Sequence, residues 1–246
     1  MSPPAARRPA ARRPAAGRPA ASWTAGSWAA ASWEQLADLP FAAALTRGPA
    51  ALAAGEQYDG VHFDEAELEE PDASGSQFLE CALTRLTLTG GALTQARLSD
   101  VWLSEVRLIG TGLARTSWRD VTVTGAVIAG AEAFGSLLRR VRFDRCKLDS
   151  VNFRDCDLTD VTFDNCVLRD VDFSSARLTR VTFGGSRLAS TTLVKVTLKQ
   201  VDLRGAEELG LTVDPAALGG AIVSTAQLLE LAPLLADSIG IIVTDQ

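Results

Sequence analysis

Residues 141–173 read VRFDRCKLDSVNFRDCDLTDVTFDNCVLRDVDF, and this stretch decides the fold. Every fifth residue is large and apolar: Phe143, Leu148, Phe153, Leu158, Phe163, Leu168 and Phe173. Two residues before each stands a small or β-branched one: Val141, Cys146, Val151, Cys156, Val161, Cys166 and Val171. Side chains recur every 3.6 residues on an α-helix and every 2 on a strand, so neither element can use a period of five. A short fixed period is the mark of a solenoid, whose coils bury their apolar positions only by stacking on their neighbours.

Followed outward, the beat runs from Phe63 to Leu203 as 29 successive five-residue units, with weak units at Ala73 and Ala133. It fails after Arg204, because Glu208 falls where the next large residue belongs. The sequence therefore divides into an arm over 1–21, an N-terminal cap over 22–60, a solenoid over 61–204 and a C-terminal module over 205–246. The arm is built from Pro, Ala and Arg and cannot form a core. In the cap, Ser32-Trp33-Glu34-Gln35 resembles a capping box, and Pro40 and Pro49 predict two short helical pieces with Trp33, Leu36, Leu39, Phe41 and Leu45 on their apolar side. This cap is expected to cover the first coil. In the C-terminal module, Ser224 can cap a helix over 225–236, Gly240 would stop it, and Ile239 to Val243 reads as a short strand.

The net charge of −6 conceals segregation. Residues 1–21 carry five Arg and no acid; Glu56 to Asp72 carries eight acids and no base. From Ala73 to Arg204 there are 18 bases against 14 acids, a balance of +4, and six acids follow without a base. No window of 18 apolar residues exists, so no membrane span is expected, nor is a secretory leader. Four cysteines, Cys81, Cys146, Cys156 and Cys166, share the small position of the repeat and read as core filler, which suits a reducing cytoplasm. Arg outnumbers Lys by 21 to 3, the composition of a GC-rich bacterial genome.

Units such as Cys156-Asp157-Leu158-Thr159-Asp160 and Val171-Asp172-Phe173-Ser174-Ser175 resemble those of the pentapeptide-repeat family, in an actinobacterial type with a C-terminal helix and strand. The resemblance implies a mainly β fold, a right-handed quadrilateral β-helix in which four units make one square coil. Residues 20 apart then stack about 4.8 Å apart in columns. Phe143, Phe163 and Phe183 should line one interior wall, Phe153 and Phe173 the opposite one, and leucines the other two. Ala133 is expected to make room for the large Trp118. Gly90, Gly110 and Gly130 are expected at a corner that requires positive φ. Asp120, Arg140, Asp160 and Arg180 alternate along an outer column.

Chemistry is hard to find in this pattern. A single histidine, His62, leaves little scope for a Ser-His-Asp or Cys-His arrangement, and no phosphate loop or metal-ligand spacing occurs. No catalytic residue, cofactor, metal or small-molecule substrate is expected. Binding to a macromolecular partner is the remaining route, with contacts expected at the outward apolar residues Trp102 and Phe134 and at the basic run Arg139, Arg140, Arg142, Arg145 and Lys147; Ile109 and Val167 are also expected to face solvent. The family resemblance implies an alternative, imitation of duplex DNA to bind DNA gyrase and protect against quinolones or toxins; the balance of +4 over the coils argues against it. Leu228, Leu229, Leu231, Leu234, Leu235 and Ile239 are expected either to cap the last coil or to pair with a second chain across a two-fold axis, the dimer being favoured.

Overall fold

A computed structural model describes residues 33–244. Parallel strands stack coil upon coil to form a β-solenoid of about eight turns that ends in one helix. Along one side run Ala82–Thr84, Arg97–Ser104, Ser117–Thr124, Leu137–Asp144, Asp157–Asp164 and Arg177–Thr182. Another wall holds Glu67–Glu69, Thr87–Thr89, Arg107–Ile109, Val127–Ala129, Lys147–Asp149 and Val167–Arg169. The register is 20 residues throughout the middle: Trp118 pairs with Leu138, Phe143 with Phe163 and Leu148 with Leu168. A third wall is held by single bridges, among them Glu132 with Asn152 and Asn152 with Asp172.

The core follows the period of five. Phe143 and Phe163 stack with centroids 4.9 Å apart, Phe163 and Phe183 at 5.2 Å, and Phe153 and Phe173 on the facing wall at 5.3 Å. Leu148, Leu158, Leu168, Leu178 and Leu188 fill the remaining walls, and all are fully buried. Close packing at interior density is possible because each wall repeats one shape. The exception lies at Trp118, which shares with Ala133, Phe143 and Phe153 a residual void of about 10 Å³. Its indole N–H donates to the Thr116 hydroxyl at 2.9 Å, so the one polar atom of that ring is satisfied inside the core.

The corners are more demanding than the glycine column suggests. Gly90, Gly110 and Gly130 do have positive φ, at 66°, 63° and 61°. So do 21 non-glycine residues with φ between 46° and 62°, every one the last residue of a unit, from Glu65 to Gln200. Each corner residue turns the chain, and most donate their amide to the next coil, as Arg145 does to Asp164 at 2.9 Å and Asp155 to Ser174 at 3.1 Å. Those bonds hold side-chain-bearing residues in a conformation they adopt rarely alone.

The small position carries a second recurring bond. The thiols of Cys81, Cys146, Cys156 and Cys166 donate to the carbonyls of Tyr58, Val123, Ala133 and Phe143, each 23 residues earlier, and the Ser186 hydroxyl does the same to Phe163 at 2.9 Å. The cysteines are buried fillers, as the sequence implies, but each also ties its coil to the one before.

The two ends differ from expectation. Residues 1–21 and Ser32 lie outside the described residues. The N-terminal pieces are single 3-10 turns, Leu36–Asp38 and Ala42–Ala44, because Leu39 must be extended before Pro40. Their Leu39 and Phe41 lie on the outside of a wall, against Ala82 and Trp102, instead of across the first coil. The open end is filled by Leu52 and Tyr58, and pairing at a spacing of 20 already begins with Gln57 and Gln77, ahead of Phe63.

At the other end the beat does not stop at Arg204; it slips. Leu188 pairs with Leu209, 21 residues on, and Thr191 with Leu211, 20 on again, so one extra residue is accommodated as a bulge. The helix α1 then covers Thr225–Ser238, two residues longer than the sequence suggests. Ser224 caps it: the Gln227 amide donates to the Ser224 hydroxyl at 3.2 Å, and the Ser224 amide to Oε1 of Gln227 at 3.0 Å. Gly240 ends it with φ 78°. The strand expected over Ile239 to Val243 is absent; this segment is irregular, with no neighbouring strand to pair with among the described residues.

Candidate functional site

Among the described residues no group of three or more His, Cys, Asp or Glu is placed to hold a metal ion. His62 is half-buried, with Nε2 2.8 Å from the Thr84 hydroxyl, which in turn donates to the Asp64 carboxylate. The order is wrong for nucleophilic catalysis. In a Ser-His-Asp arrangement the imidazole sits between hydroxyl and carboxylate and takes the hydroxyl proton. Here the hydroxyl sits in the middle with its proton committed to Asp64, and Arg85 holds the same carboxylate at 2.6 Å.

The outer surface is governed by pairing between coils. Arg140 grips Asp120 with two hydrogen bonds, one of 2.6 Å, and Arg180 grips Asp160 in the same way. Arg169 pairs with Asp149, Arg142 with Asp164 at 2.9 Å and Arg154 with Asp172 at 2.9 Å. Exposed pairs of this kind contribute about 0–1 kcal/mol each. Arg169 holds the Asp149 carboxyl below the usual range, whereas burial pushes Asp164 up in spite of Arg142.

Of the residues expected to meet a partner, Trp102 is a correction. It is only 3% exposed, because Leu39 and Phe41 fold back over it with Trp33, Leu36 and Leu45 around them. The sequence signal was the apolar side of the cap, expected over the first coil, and it gave no register to predict the contact with Trp102. Ile109 and Val167 are half-buried. Phe134 is exposed at 40%.

The basic run is not a patch either. Five cations within nine residues travel round the coil: Arg139 faces out from one wall, Arg140 sits at the corner on Asp120, Arg142 lies half-buried against Asp164 on the next wall, Arg145 pairs with Asp144 at 2.8 Å, and Lys147 belongs to the wall after that. What the linear reading missed is the column. Arg119 and Arg139 are register partners one coil apart, and Arg97, Ser117 and Leu137 form the neighbouring column on the same wall. Counting by twenties along the outward positions would have found them.

At the C-terminal end, Leu231 is buried and Leu234 packs against the solenoid core, with Leu235 half-buried. Leu228 at 48%, Leu229 at 70% and Ile239 at 73% are exposed, together with Ile241, Ile242 and Val243. So α1 caps the last coil with one face and leaves the other bare. No helix is long and apolar enough to cross a membrane among the described residues.

Residues 136–212 match the family model described as a pentapeptide repeat region. No curated protein matches the chain. Among solved structures, a trypsin-treated variant of QnrB1, described as a plasmid-mediated fluoroquinolone resistance protein, is 17% identical with a TM-score of 0.52, over 81% of this chain and 96% of that one. HetL, a pentapeptide repeat protein involved in heterocyst differentiation regulation from the cyanobacterium Nostoc, is 21% identical with a TM-score of 0.28, over 68% of this chain and 90% of that one. The five-residue units, the 20-residue coil they close and the family match over residues 136–212 identify a pentapeptide repeat region in this chain.

Proposed function

We propose that this protein is a non-enzymatic interaction scaffold, a stiff rod whose outer columns hold a macromolecular partner. The observation that carries this reading is the outer surface itself. Its side chains stand at fixed spacing on the outside of a continuously packed core, which suits recognition along a face better than enclosure of a small substrate. Four free cysteines fit a reducing compartment, and we place the protein in the cytoplasm. Affinity purification from the source cell with in-cell crosslinking tests the scaffold reading. A protein partner recovered stoichiometrically is the expected result, and turnover of a small molecule by the purified chain would overturn it.

The bare side of α1, with Leu228, Leu229 and Ile239 exposed beside Ile241 to Val243, supports a homodimer through the C-terminal module. A dimeric mass by light scattering at micromolar concentration is expected, and a monomeric one would remove this part of the proposal.

Gyrase binding by imitation of DNA is the second reading, favoured by the carboxylates crowded on the first coils from Glu56 to Asp72 and by the fold shared with QnrB1. Farther along the rod those charges give way to Arg–Asp pairs that cancel locally, such as Arg140 with Asp120 and Arg180 with Asp160. A DNA mimic needs an unbroken anionic face, so the general scaffold remains the preferred reading. Inhibition of gyrase supercoiling by the purified protein would reverse that order.

A further inference from the structure

Eight arginines of the described residues form ion pairs with Asp or Glu side chains: Arg85, Arg140, Arg142, Arg145, Arg154, Arg169, Arg180 and Arg204. Arg97, Arg115, Arg119 and Arg139 are not among them, and they are grouped. Arg119 and Arg139 stack one above the other, Arg97 pairs with Ser117 and Ser117 with Leu137 along the adjoining column, and Arg115 stands at the corner beneath Gly135. Two open depressions, of about 360 and 610 Å³, meet at Ser117 and Leu137 and between them are lined by all four guanidinium-bearing residues.

One apolar residue lies among these charges and a second stands beside them. Leu137 is 55% exposed in a column otherwise occupied by Gln77, Arg97, Ser117, Asp157 and Arg177. Phe134, 40% exposed, immediately precedes the corner residue Gly135, and its carbonyl accepts from the Arg115 amide at 2.9 Å. A large exposed aliphatic side chain in a column of polar ones contributes nothing to the solenoid core. Aromatic and apolar anchors ringed by arginine are, however, the usual composition of a binding hot spot.

We propose that the corner at Phe134 and Leu137, with Arg97, Arg115, Arg119 and Arg139, is the docking site for an acidic, apolar-anchored peptide segment of a partner protein. This rests on the scaffold reading above. The positive charge selects carboxylates, and Leu137 with Phe134 selects an apolar side chain among them. From Arg97 to Arg139 the patch crosses three coils, roughly 10 Å, which an extended peptide covers in about three or four residues. Asp157 closes the far side of the depression and sets where the acidic segment must end. A nucleic acid would use the same guanidinium groups but has no use for the apolar centre.

The test is fluorescence anisotropy of the full chain with fluorescein-labelled Asp-Glu-Asp-Leu-Phe-Glu-Asp-Glu at low salt. Saturable binding is expected, weakened about tenfold or more by Arg119→Ser with Arg139→Ser and about fivefold by Leu137→Ser. Arg107→Ser with Arg187→Ser, the same charge change on the opposite wall, should leave it unaltered. All these residues are exposed outward ones, and unchanged thermal unfolding of each variant verifies that folding is intact. No binding, equal weakening by the opposite-wall variant, or an oligo-dT that binds as tightly and ignores Leu137→Ser would each overturn the proposal. If the partner captured from cells is retained by the Arg119→Ser, Arg139→Ser variant, the scaffold reading stands and this surface falls.

Discussion

The side-chain amide of Gln227 donates to the backbone carbonyl of Leu203 at 2.7 Å and reaches that of Ala206 at 3.3 Å. The last coil of a solenoid has no further coil to accept its pairing, and α1 supplies a substitute from its first turn. The same residue completes the helix cap with Ser224, so forming the helix and closing the rod are one event. Gln227→Leu keeps the bulk but removes the side-chain donor from both carbonyls, leaving Leu203 with only the Ala206 amide at 3.0 Å, at about 1–3 kcal/mol. A lowered denaturation midpoint is expected, with faster hydrogen exchange at the Leu203 amide, which is bonded to Ile222. An unchanged midpoint would mean that α1 is held by its apolar contacts alone.

Phe163 lies between Phe143 and Phe183 in the aromatic stack and touches Phe173 edge-on at 6.3 Å. Its ring is fully buried, with coils on both sides that cannot collapse into the space. Phe163→Ala should cost roughly 3–5 kcal/mol in denaturant unfolding. Phe163→Leu should cost clearly less, because leucine already fills the adjoining walls at Leu158 and Leu168.

How much of this was legible depended on whether position in the repeat decided the outcome. The columns of Phe143, Phe153 and Phe163 follow from period five and a coil of four units, since burial of those residues admits no other register. Trp102 was misplaced because its environment comes from Leu39 and Phe41, which lie outside the repeat and have no periodic relation to it. The slip at Leu209 was invisible for a related reason: a one-residue bulge looks in sequence like the end of the pattern. The arginine patch was legible in principle but not in linear order, where Arg139 reads with Arg140 and Arg142 and not with Arg119.

Gly75 and Gly91 share nearly the same backbone, φ 70° and 71°. A Cβ on Gly75 would meet nothing within 4 Å, while one on Gly91 would stand 2.3 Å from the Pro71 carbonyl oxygen. Gly75→Ala therefore isolates the left-handed strain, about 1–2 kcal/mol. Gly91→Ala adds a backbone clash and should lower the melting temperature well beyond the Gly75 variant. Equal shifts would mean that the coil at Pro71 yields.

Hydrogen bonding from the Arg204 side chain, aided by the Arg204 amide, holds the Asp202 carboxyl below the usual carboxylate value. A carboxyl with a depressed folded pKa contributes stability above its unfolded pKa, near 4, and loses it as pH falls through the folded value. Asp202→Asn should thus lower the melting temperature at pH 7 and converge with the parent toward pH 2–3. A constant offset across that range would assign the effect to packing instead.

The thiols offer a direct probe of how tightly the coils close. Burial pushes the Cys81 thiol up to about 11 and the Cys156 thiol up to about 12, and all four cysteines are within 1% of complete burial. A thiol reagent needs thiolate and access; burial denies access to all four, and at Cys81 and Cys156 it also opposes ionisation at pH 8. Native protein should stay unreacted with Ellman's reagent for hours, with four thiols released on unfolding in guanidinium. Cys156→Ser should be tolerated, because Ser186 already makes the equivalent bond to Phe163 from the same repeat position. Cys156→Val should lower stability although it adds apolar volume, since it leaves the Ala133 carbonyl without its donor. Rapid labelling of the native chain would show that the coils open locally, and a stabilised valine variant would show that the thiol bond contributes nothing.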